Sequence, residues 1–371
     1  MLRKEGYINL MKKNLFALLS LVSAFSLLSC GTNNSSLASS SSSQLSNSAS
    51  SSTQDVSASA SSTSSASESY VKAWVSDVSG TASIMIAGQY EGTDVDYVVS
   101  SYPVVANALA KNTKLSVKED LGAAFGTKYG TDGFPQAGLF IKNSLSTDSS
   151  KNDSVDQFLN TFDASINDLI SGGSEAIANM KAYGTDDEQT ARFGFKSAVL
   201  NLCQKDSGNK LAFISKAKNP DVAGFDKFTS PLGFSVTDSL LSSHYPTKST
   251  STLTTKATTL DYKVVCPSGA PAAAFSQFAS GTNLTITSPA NVKAALAKGE
   301  ADFIMFDSVN GLNAIKSQSY GYSLVRMVTF GNLYLVATGN DDNATFEKSD
   351  YTVAYGETLI PGKVFKSIYQ D

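Results

Sequence analysis

The sequence predicts an α/β fold in which mainly parallel sheets are flanked by helices. Three observations carry that prediction. Strand–helix units, then a helical region, precede a Ser/Thr-rich stretch at 245–265, and strand–helix alternation resumes after it. The segment "VDQFLNTFDASINDLI" sets Val155, Phe158, Leu159, Phe162, Ile166, Leu169 and Ile170 on one helical face, with Asp153 or Ser154 as cap. One strand–helix–strand–helix pattern also occurs twice, over 71–109 and 284–315. Each copy carries a Gly turn and then an aspartate, Asp96 and Asp302. The repeat suggests two similar lobes; against it stands the general likeness of all α/β units.

From the N-terminus, "MKKNLFALLSLVSAFSLLSC" has a basic start at Lys12 and Lys13 and an apolar stretch, Leu15 to Leu28, too short to span a bilayer comfortably. "LLSC" resembles a bacterial lipobox, which implies cleavage before Cys30 and a diacylglycerol on its thiol. The alternative is an ordinary signal peptide with an incidental cysteine. Met11 is then the expected start codon, with Met1 the other choice. Residues 31–69 are Ser-rich with almost no large apolar side chains, the composition of a disordered tether. Such a coil spans on the order of 30–40 Å. An anchor, a tether and a globular body together place the protein on the extracytoplasmic face of a bacterial cell membrane.

The chain of 371 residues has room for two domains or lobes, and its 42% hydrophobic content suits a globular body. A net charge of −4 and the lack of a basic cluster argue against a nucleic-acid partner. Cys203 and Cys266 lie too far apart to define a disulfide framework, so buried thiols are expected, with a bridge as the alternative.

Within the body, "DEQTARFGFKSAVLNLC" is expected to be a helix, and residues 246–259, with no aromatic and one Leu, a linker. The chain closes on "YTVAYGETLIPGKVFKSIYQD". That is a strand over Tyr351–Tyr355, a turn over Gly356–Thr358, and a helix over Pro361–Tyr369 with Val364, Phe365, Ile368 and Tyr369 on one side. Either a strand–helix–strand unit stops there one strand short, or the chain simply ends on a terminal helix with nothing missing.

"VVCPSGAPAAAF", "KGEADFIMFDSVNG", "VTFGNLYLVAT" and "YTVAYGETLIPGKVF" resemble the first half of a type II periplasmic-binding-protein fold. More narrowly, they resemble the nitrate/sulfonate/thiamine-precursor group of ABC-importer substrate-binding proteins. "GTDVDYVVSSYPVVANAL" and "DGFPQAGLFIKNSL" resemble the second half. The halves stand in reversed order, which implies a circular permutation. The missing strand is then "YVKAWVSDV" at 70–78, and Tyr70–Val75 is expected to pair parallel to Thr352–Tyr355. The resemblance implies two lobes with crossings near Leu333–Thr338 and Gln136–Phe140. Lobe I would hold 139–336, including the linker 246–259; lobe II would hold 70–138 and 337–371.

No catalytic set is legible. His244 is the only histidine, there is no HExxH, CxxC or GxxxxGK[ST], and no carboxylate pair stands out. The protein is therefore expected not to be an enzyme, to need no cofactor or metal, and to bind a small molecule. Ligands of open α/β sheets sit beyond the strands' carboxyl ends. There the loops offer Ser268 and Gly269; Asp307, Ser308 and Asn310; Gly356 and Thr358; and Ser101 and Tyr102. The resemblance adds Thr329, Phe330, Gly331, Asn332 and Gln136 beside the crossings. Tyr102, Phe134 and Phe330 are either stacking platforms or core. Arg326, in the apolar run "SLVRMV", is expected to be structural, and the scarcity of arginine points to a neutral, zwitterionic or singly charged solute. The partners this implies are the solute, an ABC permease with its ATPase, and the membrane through Cys30, for a monomeric protein. The alternative is a surface lipoprotein used as a sensor or adhesion module. An enzyme acting on a pyrimidine-type cofactor precursor would need reactive side chains that are not found.

Overall fold

The computed structural model describes residues 73–75, 81–102, 104–171, 175–176, 178–179, 219–246, 260–278, 283–340, 351–356 and 360–369. Cys30, the tether 31–69, the helix expected over 187–203 with Cys203, linker residues 247–259 and Thr358 lie outside them.

Twelve strands and ten α-helices are described. The strands are β1 (Ala73–Val75), β2 (Gln89–Tyr90), β3 (Thr93–Asp94), β4 (Tyr97–Ser101), β5 (Ser116–Asp120), β6 (Pro135–Lys142), β7 (Val264–Pro267), β8 (Leu284–Thr287), β9 (Phe303–Asp307), β10 (Tyr322–Phe330), β11 (Leu333–Ala337) and β12 (Thr352–Ala354). The helices are α1 (Thr81–Ala87), α2 (Val104–Leu109), α3 (Leu121–Tyr129), α4 (Asn143–Ser146), α5 (Asn152–Ile170), α6 (Val222–Thr229), α7 (Ala270–Ala273), α8 (Pro289–Lys298), α9 (Ser308–Gln318) and α10 (Ile360–Tyr369).

The fold is α/β, with two five-stranded sheets flanked by helices. The first runs β1-β12-β4-β11-β5 and the second β8-β7-β9-β6-β10. The expectation of mainly parallel sheets is corrected: both are mixed. In the first, β1–β12 and β12–β4 are parallel, while β4–β11 and β11–β5 are antiparallel. In the second, β8–β7 and β7–β9 are parallel, while β9–β6 and β6–β10 are antiparallel. The cause lies in the connections. β11 follows β10 directly out of the second sheet, and β6 follows β5 and α3 out of the first. Each guest strand wedges in with reversed direction and turns both of its junctions antiparallel.

The expected pairing of the two ends of the body is present. Ala73, Trp74 and Val75 lie opposite Thr352, Val353 and Ala354 in parallel register. The two sheets then have one topology. Taking β12, β1, β4 and β5 as first to fourth strands matches β7, β8, β9 and β10, with the guest strand between third and fourth in both. The repeat aspartates mark the same joint. Asp96 N–H donates to Thr352 O (3.0 Å) and its carboxylate accepts from Thr352 N–H (2.8 Å). Asp302 N–H donates to Lys263 O (2.9 Å) and its carboxylate accepts from Lys263 N–H (2.9 Å). Even the third bond recurs: Asp96 O accepts from Thr338 N–H and Asp302 O from Lys142 N–H, both at 2.9 Å. The hairpin β2–β3 is an insertion in the first unit, placed between the Gly88 turn and Asp96.

Both sheets are covered on both faces, which explains their continuous apolar runs. Along β11, Leu333 and Leu335 enter one core while Tyr334 and Val336 enter the other. Along β9, Ile304 opposes Phe303 and Met305 in the same way. α5 packs through Phe158, stacked on Phe303 at 4.2 Å, and Phe162, 4.9 Å from Phe275. Each aromatic pair contributes about 0.5–1.5 kcal/mol beyond its buried area.

α5 departs from expectation at both ends. Neither Asp153 nor Ser154 caps it, because a 3₁₀ turn at Ser149–Lys151 runs straight into it, capped by Asp148 accepting from Ser150 N–H (3.0 Å). Ile170, in the last turn, is exposed. Arg326 is structural: 2% exposed, its Nε lies 3.0 Å from Asp163 Oδ1 on α5, and Nη1 donates to His244 O at 2.7 Å. Among the described residues no helix is long and apolar enough to cross a membrane.

Candidate functional site

The strand directions decide where a site can form. β7, β8 and β9 are parallel, and β6 runs against β9 and β10. The carboxyl ends of β7, β9 and β10 therefore share one edge with the start of β6. In the first sheet the carboxyl ends of β12, β4 and β5 share an edge with the start of β11. The chain passes between these edges twice, at Gly331–Asn332 and over 130–134. Both carboxyl edges thus converge on the same two connecting segments, the crevice position favoured for ligands in open α/β sheets.

The two segments are tied together. Gly331 N–H donates to Phe134 O at 2.8 Å, and a Cβ on Gly122, in the first turn of α3, would lie 3.0 Å from Gly331 Cα. Gly331 (φ 76) and Asn332 (φ 66) are both left-handed, which suits Gly and is tolerated by Asn. Asn332 is buried, and its Oδ1 has no hydrogen-bond partner among the described residues.

Asp307 ends β9 and caps α9 by accepting from Asn310 N–H at 2.8 Å. It keeps partial solvent access, but protein crowds the carboxyl. Lost hydration pushes its pKa up to about 7, against the opposing pull of the Asn310 N–H, Lys363 and the Val309 N–H. Lys363 stands in the first turns of α10, on the first sheet's side, so its charge reaches Asp307 from the facing edge. Ser308, the first residue of α9, is wholly buried, and its hydroxyl has no partner among the described residues. A buried hydroxyl and a buried amide oxygen left unpaired each cost about 1–3 kcal/mol. They are groups that a ligand would satisfy.

The remaining expected residues divide. Ser268 and Gly269 follow β7, both half-buried, with Gly269 at φ 89 and ψ −148, a conformation for glycine alone. Gln136 is half-buried at the start of β6, beside Ala137, which pairs with Asp307. Ser101 is half-buried at the end of β4, opposite Leu333. Phe330 is half-buried and meets Phe228 edge-to-face at 4.5 Å. Tyr102 is core, 1% exposed and edge-on to Tyr334 at 5.6 Å; Phe134 is core against Phe125. Thr329 is also buried, its hydroxyl accepting from Ala137 N–H at 3.0 Å. Gly356 is buried and its carbonyl accepts from Gly362 N–H, shaping the entry to α10. Asn310 contributes its backbone N–H to Asp307.

A scan against protein-family models, a search of curated proteins and a search of solved structures each found no match to this chain.

The geometry offers binding groups. His244 Nδ1 lies 3.0 Å from Asp156 Oδ1, but its buried Nε2 has no partner among the described residues, so no serine is aligned as a nucleophile. Among the described residues no cluster of His, Cys, Asp or Glu could hold a metal ion. Two residues that act on the expected set escaped the sequence reading: Phe228, edge-on to Phe330, and Lys363, whose charge acts on Asp307. Lys363 had a signal: a lysine in the opening turns of the helix whose preceding loop already carried two candidates.

Proposed function

We propose that this chain is an extracytoplasmic solute-binding lipoprotein. It delivers a small solute to an ABC importer by closing two lobes, on a circularly permuted type II periplasmic-binding-protein fold. The observation that supports this best is the shared strand order of the two sheets, with both carboxyl edges turned to the same pair of connecting segments. Lobe II would comprise the first sheet, from about 70–130 and 333–371, and lobe I the second, from about 135–330, a small shift from the expected boundaries of 138/139 and 336/337. The exchange of chain falls at 331–332 and 130–134, so β11 belongs with lobe II and β6 with lobe I. Closure about the Gly331–Phe134 contact would bring the two carboxyl edges together around a solute. The chemistry is binding, without catalysis and without a cofactor. Lipid on Cys30 and the tether 31–69 would hold the body near a permease.

The test is small-angle scattering with and without a broad solute library. A solute that both contracts the particle and raises the unfolding temperature is the expected result. A protein whose dimensions no solute changes is not a transport receptor of this kind.

A further inference from the structure

The two crossings between the sheets meet at one point, and the meeting is backbone against backbone. Gly331 N–H donates to Phe134 O at 2.8 Å. A Cβ on Gly122 would lie 3.0 Å from Gly331 Cα, and one on Gly331 would lie 3.4 Å from Gly122 Cα. A Cβ on Gly133 would stand 3.3 Å from the Phe330 ring and 3.6 Å from Gly331 N. Three glycines, one from α3 and one from each crossing, therefore meet where no side chain of theirs interdigitates. Close-packed side chains interlock and resist small rotations. Glycine backbone has nothing to interlock, and its φ and ψ are the least restricted. Those are the properties of a hinge. One residue departs from this pattern. Asn332 follows Gly331 at φ 66, a conformation that glycine adopts more readily. It is 5% exposed, and its buried Oδ1 has no partner among the described residues. A glycine at 332 would suit the backbone and leave no oxygen unpaired. Asparagine thus destabilises this conformer in two ways. Strain of that kind clusters at switch points, where a second arrangement of the chain relieves it.

We propose that Gly122, Gly133, Gly331 and Asn332 form a two-state joint. The described conformer is its major form, and Asn332, by destabilising that form, keeps a second orientation of the two sheets populated. This deepens the lobe-closure reading above, on which it rests for the moving bodies. Asn332 then sets how readily the lobes close. A solute that selects the second orientation works against a smaller gap than it would with glycine at 332.

The experiment is nuclear magnetic resonance relaxation dispersion on the ligand-free full chain in mild detergent, with isotope-labelled glycine nitrogen. Hinge motions fall in its microsecond-to-millisecond window. Gly122, Gly133 and Gly331 are expected to share one exchange process. Gly299, which ends α8, and Gly339, beyond β11, are left-handed glycines away from the joint and should not show it. N332G should lower the minor population about tenfold, flattening the dispersion at Gly122 and Gly133, and should raise the unfolding midpoint. Flat profiles at all three joint glycines in the parent chain overturn the inference. So does an N332G variant that exchanges like the parent, or one that unfolds no later. Exchange at the joint of a protein whose dimensions no solute changes keeps the joint and removes the transport reading. A solute that contracts a protein with flat joint glycines does the reverse.

Discussion

Asp96 and Thr352 exchange two hydrogen bonds across the joint where the first sheet is closed, backbone N–H to carbonyl one way and backbone N–H to carboxylate the other. Removing the carboxylate strands the Thr352 N–H beside the start of β12. D96A is expected to cost about 1–3 kcal/mol of stability. D302A should cost a similar amount, because Asp302 holds Lys263 by the same pair of bonds. Urea unfolding of the two variants checks this; a loss in one and none in the other would separate two joints of the same geometry.

A rearranged chain tests the pairing of β1 with β12. It would begin at Leu260, run to Asp371, continue through a short Gly/Ser spacer into Tyr70 and finish at Pro246. It is expected to keep the native circular dichroism spectrum and to unfold within a few degrees of the parent. Deleting 73–75 instead bares the edge of β12, three cross-strand pairs that contribute roughly 0.2–1 kcal/mol each. A rearranged chain that stays unfolded would contradict the adjacency of the two segments.

Asp307 gives a pH signature with a definite sign. Its folded pKa, raised to about 7, lies above the ordinary 3.8, so the native state holds a proton that the unfolded chain has released between those values. The contribution of Asp307 to stability is expected to be fully present below about pH 4, to fall as pH rises toward 7 and to be flat beyond; the span, 7 minus 3.8 or about 3 pH units, corresponds to about 4 kcal/mol. D307N keeps a side-chain oxygen to cap α9 and carries no charge. It should therefore stabilise the ligand-free protein at pH 8 and leave it nearly unchanged at pH 4, as read by unfolding midpoints across pH.

The pair of Arg326 and Asp163 joins β10 to α5 out of contact with water. D163A leaves a buried guanidinium without its counter-ion and is expected to cost about 3–5 kcal/mol. Pairing D163A with R326M should recover part of that loss in a denaturant titration. A single variant as stable as the parent would mean that the pair reaches solvent.

Much of this architecture was legible. The strand–helix unit at 351–369 raised the question of a partner strand, and the resemblance of the two halves in reversed order pointed to the other end of the body. Asp96 and Asp302 were visible as repeat markers, though not as the residues that tie first strand to third. The direction of β6 and β11 was not legible, because polarity in a sheet depends on where a strand arrives from. The burial of Tyr102 and Thr329 was not legible for a related reason: alternation tells which residues share a face, and only the register tells what that face meets. One signal was overlooked. Asp163 interrupts the apolar stripe between Leu159 and Ile166, and Arg326 interrupts an apolar strand. Two charges of opposite sign in buried positions require each other.

The order of the strands in the first sheet also sets a timetable for synthesis. β12 lies between β1 and β4, so β1 has no neighbour until residue 352 has been made. At ribosomal rates that wait is on the order of 15–60 s. The strands of the second sheet are all present by residue 330. A message cut short beyond that point would yield one finished half and one with a bare strand edge, an easy mark for proteases. The late arrival of β12 thereby makes the last stretch of translation a checkpoint that only intact chains pass.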